Sequence, residues 1–415
     1  MNTRNQHHAF VLRGLCAAAM AATLATGNPA LAAPADTTVA TPDLDPFYAT
    51  PPDLDSYPDG AILRSRESAL FGLPLPISVW QIQYRSSDAR GAATTGVTTV
   101  LVPGLPWTGA GARPVVSYQM AEDGLGVQCA SSYMLRSGYQ PGAQNDQTSE
   151  GPLTALLLQR NWAVVVSDYE GPQERFLDRA QEAHSALDGI RAALAFAPAG
   201  LAADSPVAAF GYSGGAFATV SMMEIQPGYA PELNVTGFAA GGIPADLVAG
   251  IRHDNGTANA GLAVFATAAL DRLRPDLNIV DHFDDAGRAA ITTAGNQCVQ
   301  QTVADTAYLR LTDTTGSTDP GTVPALVIAA AQQNPGQAVP TAPMYAWHST
   351  LDDALPIDAT DSLVDRYCAA GASVTYHRTD VPQHAPAAVA ELPAVLDYLG
   401  ERLAGAPIHP GCRTF

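Results

Sequence analysis

Short apolar segments alternate with amphipathic ones along most of the chain. Uninterrupted apolar runs bounded by Gly, Pro or Asp predict buried strands, and apolar residues spaced three and four apart predict helices. In 182–196, Leu187, Ile190 and Leu194 share one helical face. This alternation predicts βαβ units and a mostly parallel sheet. The predicted strands are 78–84, 96–102, 114–118, 163–167, 206–210, 235–240, 344–347 and 374–377, and the predicted helices are 153–160, 182–196, 215–225, 359–370 and 387–403.

The alternation is interrupted between residues 247 and 340. This stretch is rich in Ala, Thr and Asp and contains helical fragments such as 262–273. Strands and a helix resume after it, and they would have no sheet to complete if the stretch began a freestanding second domain. We therefore expect one α/β domain, formed by 34–246 and 341–415, with a helical insertion over 247–340.

The first 33 residues have the pattern of a signal peptide. Arg4 and Arg13 precede an apolar run over 15–24, and Ala30-Leu31-Ala32 satisfies the small-residue rule for signal peptidase. The run is shorter than the roughly 20 residues that a membrane-spanning helix needs. We expect cleavage near Ala32 or Ala33 and an exported protein, extracellular or periplasmic, without a transmembrane segment.

Composition restricts the classes of fold and of partner. Hydrophobic residues make up 47% of the 415 residues and charged residues 15%, which excludes a disordered chain. The formal net charge is −19, and the 21 basic residues are scattered arginines, so we expect no nucleic-acid partner. Walker, Rossmann and EF-hand patterns are missing from the sequence, and we expect neither a cofactor nor a metal. The acidic segment 281–285 is better explained as a solvated surface than as a cation site.

Cysteines point to an oxidising compartment. Removal of the signal peptide leaves Cys129, Cys298, Cys368 and Cys412. An even number of cysteines in an exported chain predicts two disulfides, for which three pairings are possible. Their spacing does not match a zinc site. We expect structural bridges, and the spacing alone leaves the pairing open.

The strongest chemical signal is the pentapeptide Gly211-Tyr212-Ser213-Gly214-Gly215. It lies between the predicted strand 206–210 and the predicted helix 215–225, which is the context of a nucleophile elbow. The serine of such an elbow occupies a strained turn, and the residues two before and two after must be small so that strand and helix can approach. Ser213 is therefore the predicted nucleophile. The alternative is a glycine-rich turn with an unreactive serine.

A serine nucleophile needs a general base, and the base needs an orienting acid. In chains with this elbow the acid and then the histidine follow the serine. His384 follows a strand and a loop and precedes a helix, so it is the predicted base. Asp352 follows the strand 344–347 and is the predicted acid, with Asp353 as its rival; either could instead be a solvated turn carboxylate. The other late histidines are His348, His377 and His409.

A family resemblance is carried by five segments: 45–48, 168–172 (Asp-Tyr-Glu-Gly-Pro), 211–216, 347–356 and 383–384. Together they resemble the secretory lipase family of the α/β-hydrolase superfamily. The resemblance extends over essentially the whole mature chain and implies an α/β-hydrolase fold, with a mostly parallel central sheet and an inserted helical cap, or lid. It makes Ser213 the nucleophile, Asp352 the acid and His384 the base. Leu351 and Asp353 depart from the Pro-Asp-Glu expected around the acid.

Acyl transfer also requires an oxyanion hole. One donor is expected to be the backbone N–H of Gly214, the residue after the nucleophile. Residues 119–124 resemble the oxyanion segment of the family and suggest Asp123 as the second, through its backbone N–H and a protonated side chain. The alternative is that Asp123 only forms the turn before Gly124. The resemblance further suggests the disulfides Cys129–Cys298 and Cys368–Cys412.

These inferences lead to a secreted lipase or esterase that hydrolyses carboxylic esters, acylglycerols or other lipidic esters, through a Ser-His-Asp acyl-enzyme. A serine peptidase or amidase with the same triad is one alternative, and an exported lipid-binding protein with a vestigial triad is another. We expect a monomer whose partner is an ester or lipid substrate, bound also at a lipid–water interface. The insertion 247–340 is expected to select the acyl chain, because the triad contacts only the ester group.

Overall fold

The computed structural model describes residues 39–138, 147–316 and 318–415. The predicted signal peptide, 1–33, lies outside these ranges. Within them the chain forms one sheet of ten strands. The strands are β1 (Ile62–Glu67), β2 (Ile77–Ser87), β3 (Ala93–Pro103), β4 (Val115–Gln119), β5 (Ala163–Ser167), β6 (Val207–Tyr212), β7 (Val235–Gly241), β8 (Met344–Ser349), β9 (Val374–Thr379) and β10 (Arg413–Thr414).

The sheet has the strand order β1-β2-β3-β5-β4-β6-β7-β8-β9-β10. Strands β1, β2, β3 and β5 pair antiparallel with one another, and all pairs from β5 to β10 are parallel. Every residue of β4, β5, β6 and β8 is buried. Continuous apolar runs form such strands because helices cover both faces of a parallel sheet. The predicted mostly parallel sheet is confirmed.

Helices cover the sheet on both faces. One face packs against α3, α4 and α11, and the other against α2 and α12. The predicted amphipathic segment 182–196 forms most of α3, whose Leu187 and Ile190 are fully buried. The helices are α1 (Ser131–Ser137), α2 (Gln147–Gln159), α3 (Arg179–Ala195), α4 (Gly214–Tyr229), α5 (Leu247–Asp254), α6 (Ala260–Leu273), α7 (Asp285–Ala294), α8 (Val299–Thr306), α9 (Leu311–Thr314), α10 (Pro324–Gln333), α11 (Ile357–Ala369) and α12 (His384–Leu403).

All the secondary-structure elements described between β7 and β8 are helices. Helices α5 to α10 enclose a hydrophobic cluster of their own, centred on Val264, Phe265 and Leu270 of α6. Phe217 of α4 belongs to the same cluster, so these helices rest on the start of the helix that follows the nucleophile motif. None of the helices in the described ranges is long and apolar enough to cross a membrane.

Candidate active site

The turn between β6 and α4 holds Ser213 in a backbone conformation that few side-chain-bearing residues adopt. Its φ is 55° and its ψ is −124°. The flanking glycines permit this turn: a Cβ on Gly211 would overlap the carbonyl oxygen of Gly215, and one on Gly215 would overlap that of Gln119. The sequence requirement for small residues thus has a direct steric cause, and the serine hydroxyl lies at the carboxyl end of a central strand.

His384 lies beside Ser213 as the first residue of α12. Its Nε2 is 2.8 Å from Ser213 Oγ. The Tyr212 hydroxyl donates to the His384 carbonyl at 2.7 Å, and the two rings lie 4.8 Å apart. The His384 N–H donates to Asp353 Oδ1 at 2.9 Å. These contacts fix the histidine at both its backbone and its ring.

Asp352 orients the other side of the imidazole. Its Oδ2 lies 2.7 Å from His384 Nδ1, and its Oδ1 accepts the N–H groups of Ala354 and Leu355, both at 2.9 Å. Burial would raise the pKa of Asp352, but hydrogen bonds from His348 and His384 outweigh it and hold the pKa well below its ordinary value. Asp352 is therefore ionised. Its carboxylate accepts a hydrogen bond from His384, so the ring proton of His384 lies on Nδ1.

Among the other histidines of the described residues, only His348 reaches this group. It is fully buried on β8, with Nε2 3.2 Å from Asp352 Oδ2 and Nδ1 2.8 Å from Thr360 Oγ1. His377 contacts Glu391, and His409 is exposed in the tail. Sequence reasoning considered His348 only as a base; its observed position is that of a second partner of the acid.

The segment from Met120 to Gly124 follows β4 and lies against the nucleophile turn. Asp123 has a φ of 41°, and its carboxyl group lies so close to Gly214 that a Cβ there would overlap it. Gly214 is in the first turn of α4, where backbone N–H groups have no partner within the helix. The two residues predicted for the oxyanion hole are thus adjacent.

Side chains after β5 hold this segment in position. The Tyr169 hydroxyl accepts the Glu122 N–H at 2.9 Å and donates to the Met120 carbonyl at 2.7 Å. Glu170 accepts the Gly124 N–H at 3.1 Å, and burial raises its pKa well above the ordinary value. Sequence reasoning used residues 168–172 only as a family signature; their position directly after a buried strand was the available signal for a role at the site.

A disulfide shortly after this segment connects the chain to the helical region. Cys129 pairs with Cys298, the residue before α8, and the Val299 N–H donates to the Asp123 carbonyl at 3.0 Å. Cys368 of α11 pairs with Cys412 ahead of β10. Both bridges are those that the family resemblance implied.

A cavity of about 70 Å³ opens beside Ser213 and beneath the helical region. Ser213, Gly214 and Asp123 form its floor, and its walls are mainly apolar, with Leu247, Ile251 and Phe265 among them. A hydroxyl, an imidazole and an ionised carboxylate in hydrogen-bonded sequence can perform acyl transfer.

The acidic segment 281–285 has local partners of its own. Asp284 caps α7 by accepting the Gly287 N–H at 3.0 Å, and Asp285 pairs with Arg288. In the described residues no group of three or more His, Cys, Asp or Glu side chains is arranged to hold a metal ion.

Comparison with known proteins gives consistent matches along the chain. The family model for secretory lipases matches residues 146–411. Lipase A of Arthroderma benhamiae is 32% identical over 90% of this chain and 82% of its own length. A probable inactive lipase of Mycobacterium tuberculosis is 33% identical over 88% of this chain and 83% of its own. The X-ray structure of Candida antarctica lipase A matches with a TM-score of 0.82 and 27% identity, covering 90% of this chain and 88% of that one.

Proposed function

The chain belongs to the secretory lipase family and is a serine hydrolase of carboxylic esters, and we propose that Ser213, His384 and Asp352 carry out its reaction. The observation that carries the proposal is the hydrogen-bonded path from Ser213 Oγ to His384 Nε2, at 2.8 Å, and from His384 Nδ1 to Asp352, at 2.7 Å. Such a path is what removal of a serine proton by a neutral imidazole requires.

The reaction begins when Ser213 Oγ attacks the ester carbonyl carbon and His384 Nε2 takes the hydroxyl proton. The carbonyl electrons move onto oxygen, where the N–H groups of Gly214 and Asp123 stabilise the charge. His384 then returns the proton to the leaving alcohol as its C–O bond breaks, and an acyl-enzyme remains. A water molecule then attacks the acyl carbon while His384 takes its proton. His384 returns that proton to Ser213 Oγ as the acyl–oxygen bond breaks and the carboxylic acid is released. Asp352 stabilises the imidazolium that forms in both halves.

Residues 247–340 act as the cap in this proposal, and 34–246 and 341–415 form the catalytic core. The apolar walls of the cavity beside Ser213 support an acyl group as its occupant, because burial of each CH₂ contributes about 0.8 kcal/mol. Acylglycerols and other lipidic esters supply such groups. The signal peptide would be cleaved near Ala32 or Ala33 during export.

The test is the variant Ser213→Ala. It is expected to keep the wild-type fold and to lose hydrolysis of p-nitrophenyl esters by about 10⁶-fold, since the attacking oxygen is gone. Wild type should be labelled covalently by a fluorophosphonate and the variant should not. Ester hydrolysis by the variant within tenfold of wild type would refute the mechanism, and faster cleavage of p-nitroanilides than of esters would indicate the amidase alternative. An unlabelled, inactive wild type would indicate a vestigial site.

A further inference from the structure

Asp254 is a buried acid in the substrate cavity that the reaction does not use. It is the last residue of α5, is 1% exposed, and lines the cavity that holds Ser213. Its Oδ1 is buried and has no hydrogen-bond partner among the residues that the structure describes. Buried polar atoms without a partner are rare in folded proteins, so this one needs an explanation.

Support of the fold does not explain Asp254. At the other end of the same helix, Asp246 caps the N–H groups of Val248 and Ala249 at 3.0 and 3.1 Å. Asp254 lies at the carboxyl end, where the partial charge of the helix is negative and a carboxylate is unfavourable. A buried carboxyl oxygen that has no partner among the described residues, at a helix end that makes no use of it, is typical of a position kept for a ligand.

The surroundings of Asp254 favour its neutral form. Burial raises its pKa to about 8, and the nearby carboxylates of Asp352 and Asp353 contribute in the same direction. At neutral pH the group is therefore a carboxylic acid, with one O–H donor and a carbonyl acceptor. A hydroxyl group, which also both donates and accepts, complements it, and an ionised ligand is not required.

The cavity receives the acyl part of the substrate. Among the described residues that line it are Ser213, Gly214 and Asp123, whereas His384 is not one of them. The leaving oxygen must lie within reach of His384, which protonates it, so the alcohol part lies elsewhere.

We propose that Asp254 is a specificity-determining residue that hydrogen-bonds a hydroxyl group on the acyl chain, so that esters of hydroxy acids are preferred substrates. This inference rests on the proposed serine mechanism, because it concerns the cavity beside Ser213. A substrate hydroxyl would supply the missing partner of Oδ1. A plain hydrocarbon chain would leave the carboxyl group without a hydrogen-bond partner. The enzyme should therefore distinguish a hydroxylated chain from a plain one much more strongly than it distinguishes chains of different size.

The experiment compares kcat/KM for matched methyl esters in a pH-stat. Methyl 2-, 3- and 4-hydroxypentanoate are each compared with the ester in which a methyl group replaces the hydroxyl. Wild type is expected to prefer at least one hydroxy ester by tenfold or more over its methyl counterpart. Asp254→Leu should reverse that preference while hydrolysing the methyl counterparts at least as fast as wild type, and Asp254→Asn should retain part of it. Asp313→Leu, at an exposed acid of α9, is the control and should behave as wild type.

Equal hydroxy-to-methyl ratios in wild type and Asp254→Leu would overturn the inference, provided that a fluorophosphonate labels both proteins at the same rate. Preference for the 3-amino ester over the 3-hydroxy ester would overturn it as well, because it would indicate that the ionised carboxylate binds a cation. If wild type is neither labelled nor active on any ester, the proposed function itself fails, and this inference fails with it. The labelling reaction also shows that each variant is folded.

Discussion

The sheet edge that carries the proposed triad and the helical region above it each bury an aspartate, but they surround it differently. The Asp352 side chain is 1% exposed and receives hydrogen bonds from two histidine rings and two backbone N–H groups of its own loop. Asp254 is equally buried, yet its Oδ1 lacks a partner among the described residues. The pKa of Asp352 lies well below its ordinary value, whereas that of Asp254 is raised to about 8.

This contrast shows that burial alone does not determine the state of an acid. Nitrogen donors on every side keep Asp352 ionised and oriented, as a residue that must stabilise an imidazolium requires. The helices around Asp254 supply apolar contacts instead, which leaves its hydrogen-bonding capacity to whatever enters the cavity. The hydrogen bonds of Asp352 are thus formed before substrate arrives. In our proposal, Asp254 gains its partner from the substrate.

The largest effect is expected from removing the charge of Asp352 at the sheet edge. Asp352→Asn should lower kcat for p-nitrophenyl esters by about 10⁴-fold, because an amide does not stabilise the imidazolium and favours the wrong tautomer of His384. Asp353→Asn should cost far less, since its amide oxygen still accepts the His384 N–H. A larger loss in Asp353→Asn than in Asp352→Asn would reverse our assignment of the two acids and leave the reaction class intact.

A smaller effect is expected from filling the cavity in the helical region. Ala266 lines the cavity, so Ala266→Leu should lower kcat/KM for pentanoate esters by about 10- to 200-fold and leave acetate esters nearly unchanged. Ala290 of α7 packs against the same hydrophobic cluster without lining the cavity, and Ala290→Leu is the matched control. A uniform loss on all esters in Ala266→Leu would mean that this region does not select the acyl chain.

The smallest effect concerns stability and its dependence on pH. Asp254→Leu should raise the free energy of unfolding by about 1–3 kcal/mol at pH 5, and by more at pH 8, because it removes an unpaired buried polar group. The unfolded chain releases the Asp254 proton near pH 3.8 and the folded protein only near pH 8, so the acid costs stability increasingly as the pH rises between these values. Denaturant unfolding of both proteins at pH 5 and pH 8 measures the difference. A gain that is independent of pH would contradict the raised pKa.

The parts of the fold that local pattern determines were predictable from the sequence. Strands β4 to β8 are predominantly apolar segments, and the turn at Ser213 depends on neighbouring glycines, so both leave a signal within a few residues. Strand β10 has two residues and forms only by pairing with β9, and β1 has no fully buried residue, so neither was predicted.

The site residues that were not predicted from the sequence depend on contacts between distant segments. His348 is buried against Asp352 because β8 is an interior strand of the sheet, and Tyr169 reaches Glu122 across 47 positions of the chain. Asp254 stands in the polar stretch Arg252-His253-Asp254-Asn255, which by composition alone is typical of a solvated turn. Its burial results from the packing of α5 under the neighbouring helices, which one sequence does not encode locally.

The disulfides have a consequence for how an exported chain is oxidised. In the described part of the chain the cysteines pair first with second and third with fourth, so the bridges do not cross. An oxidase that joins thiols in the order in which they emerge from the membrane would form both native bridges directly. Reshuffling, which takes seconds to hours, is then unnecessary. The first bridge closes only after the Ser213 turn and the cavity helix α6 have emerged, since 169 positions separate its two cysteines.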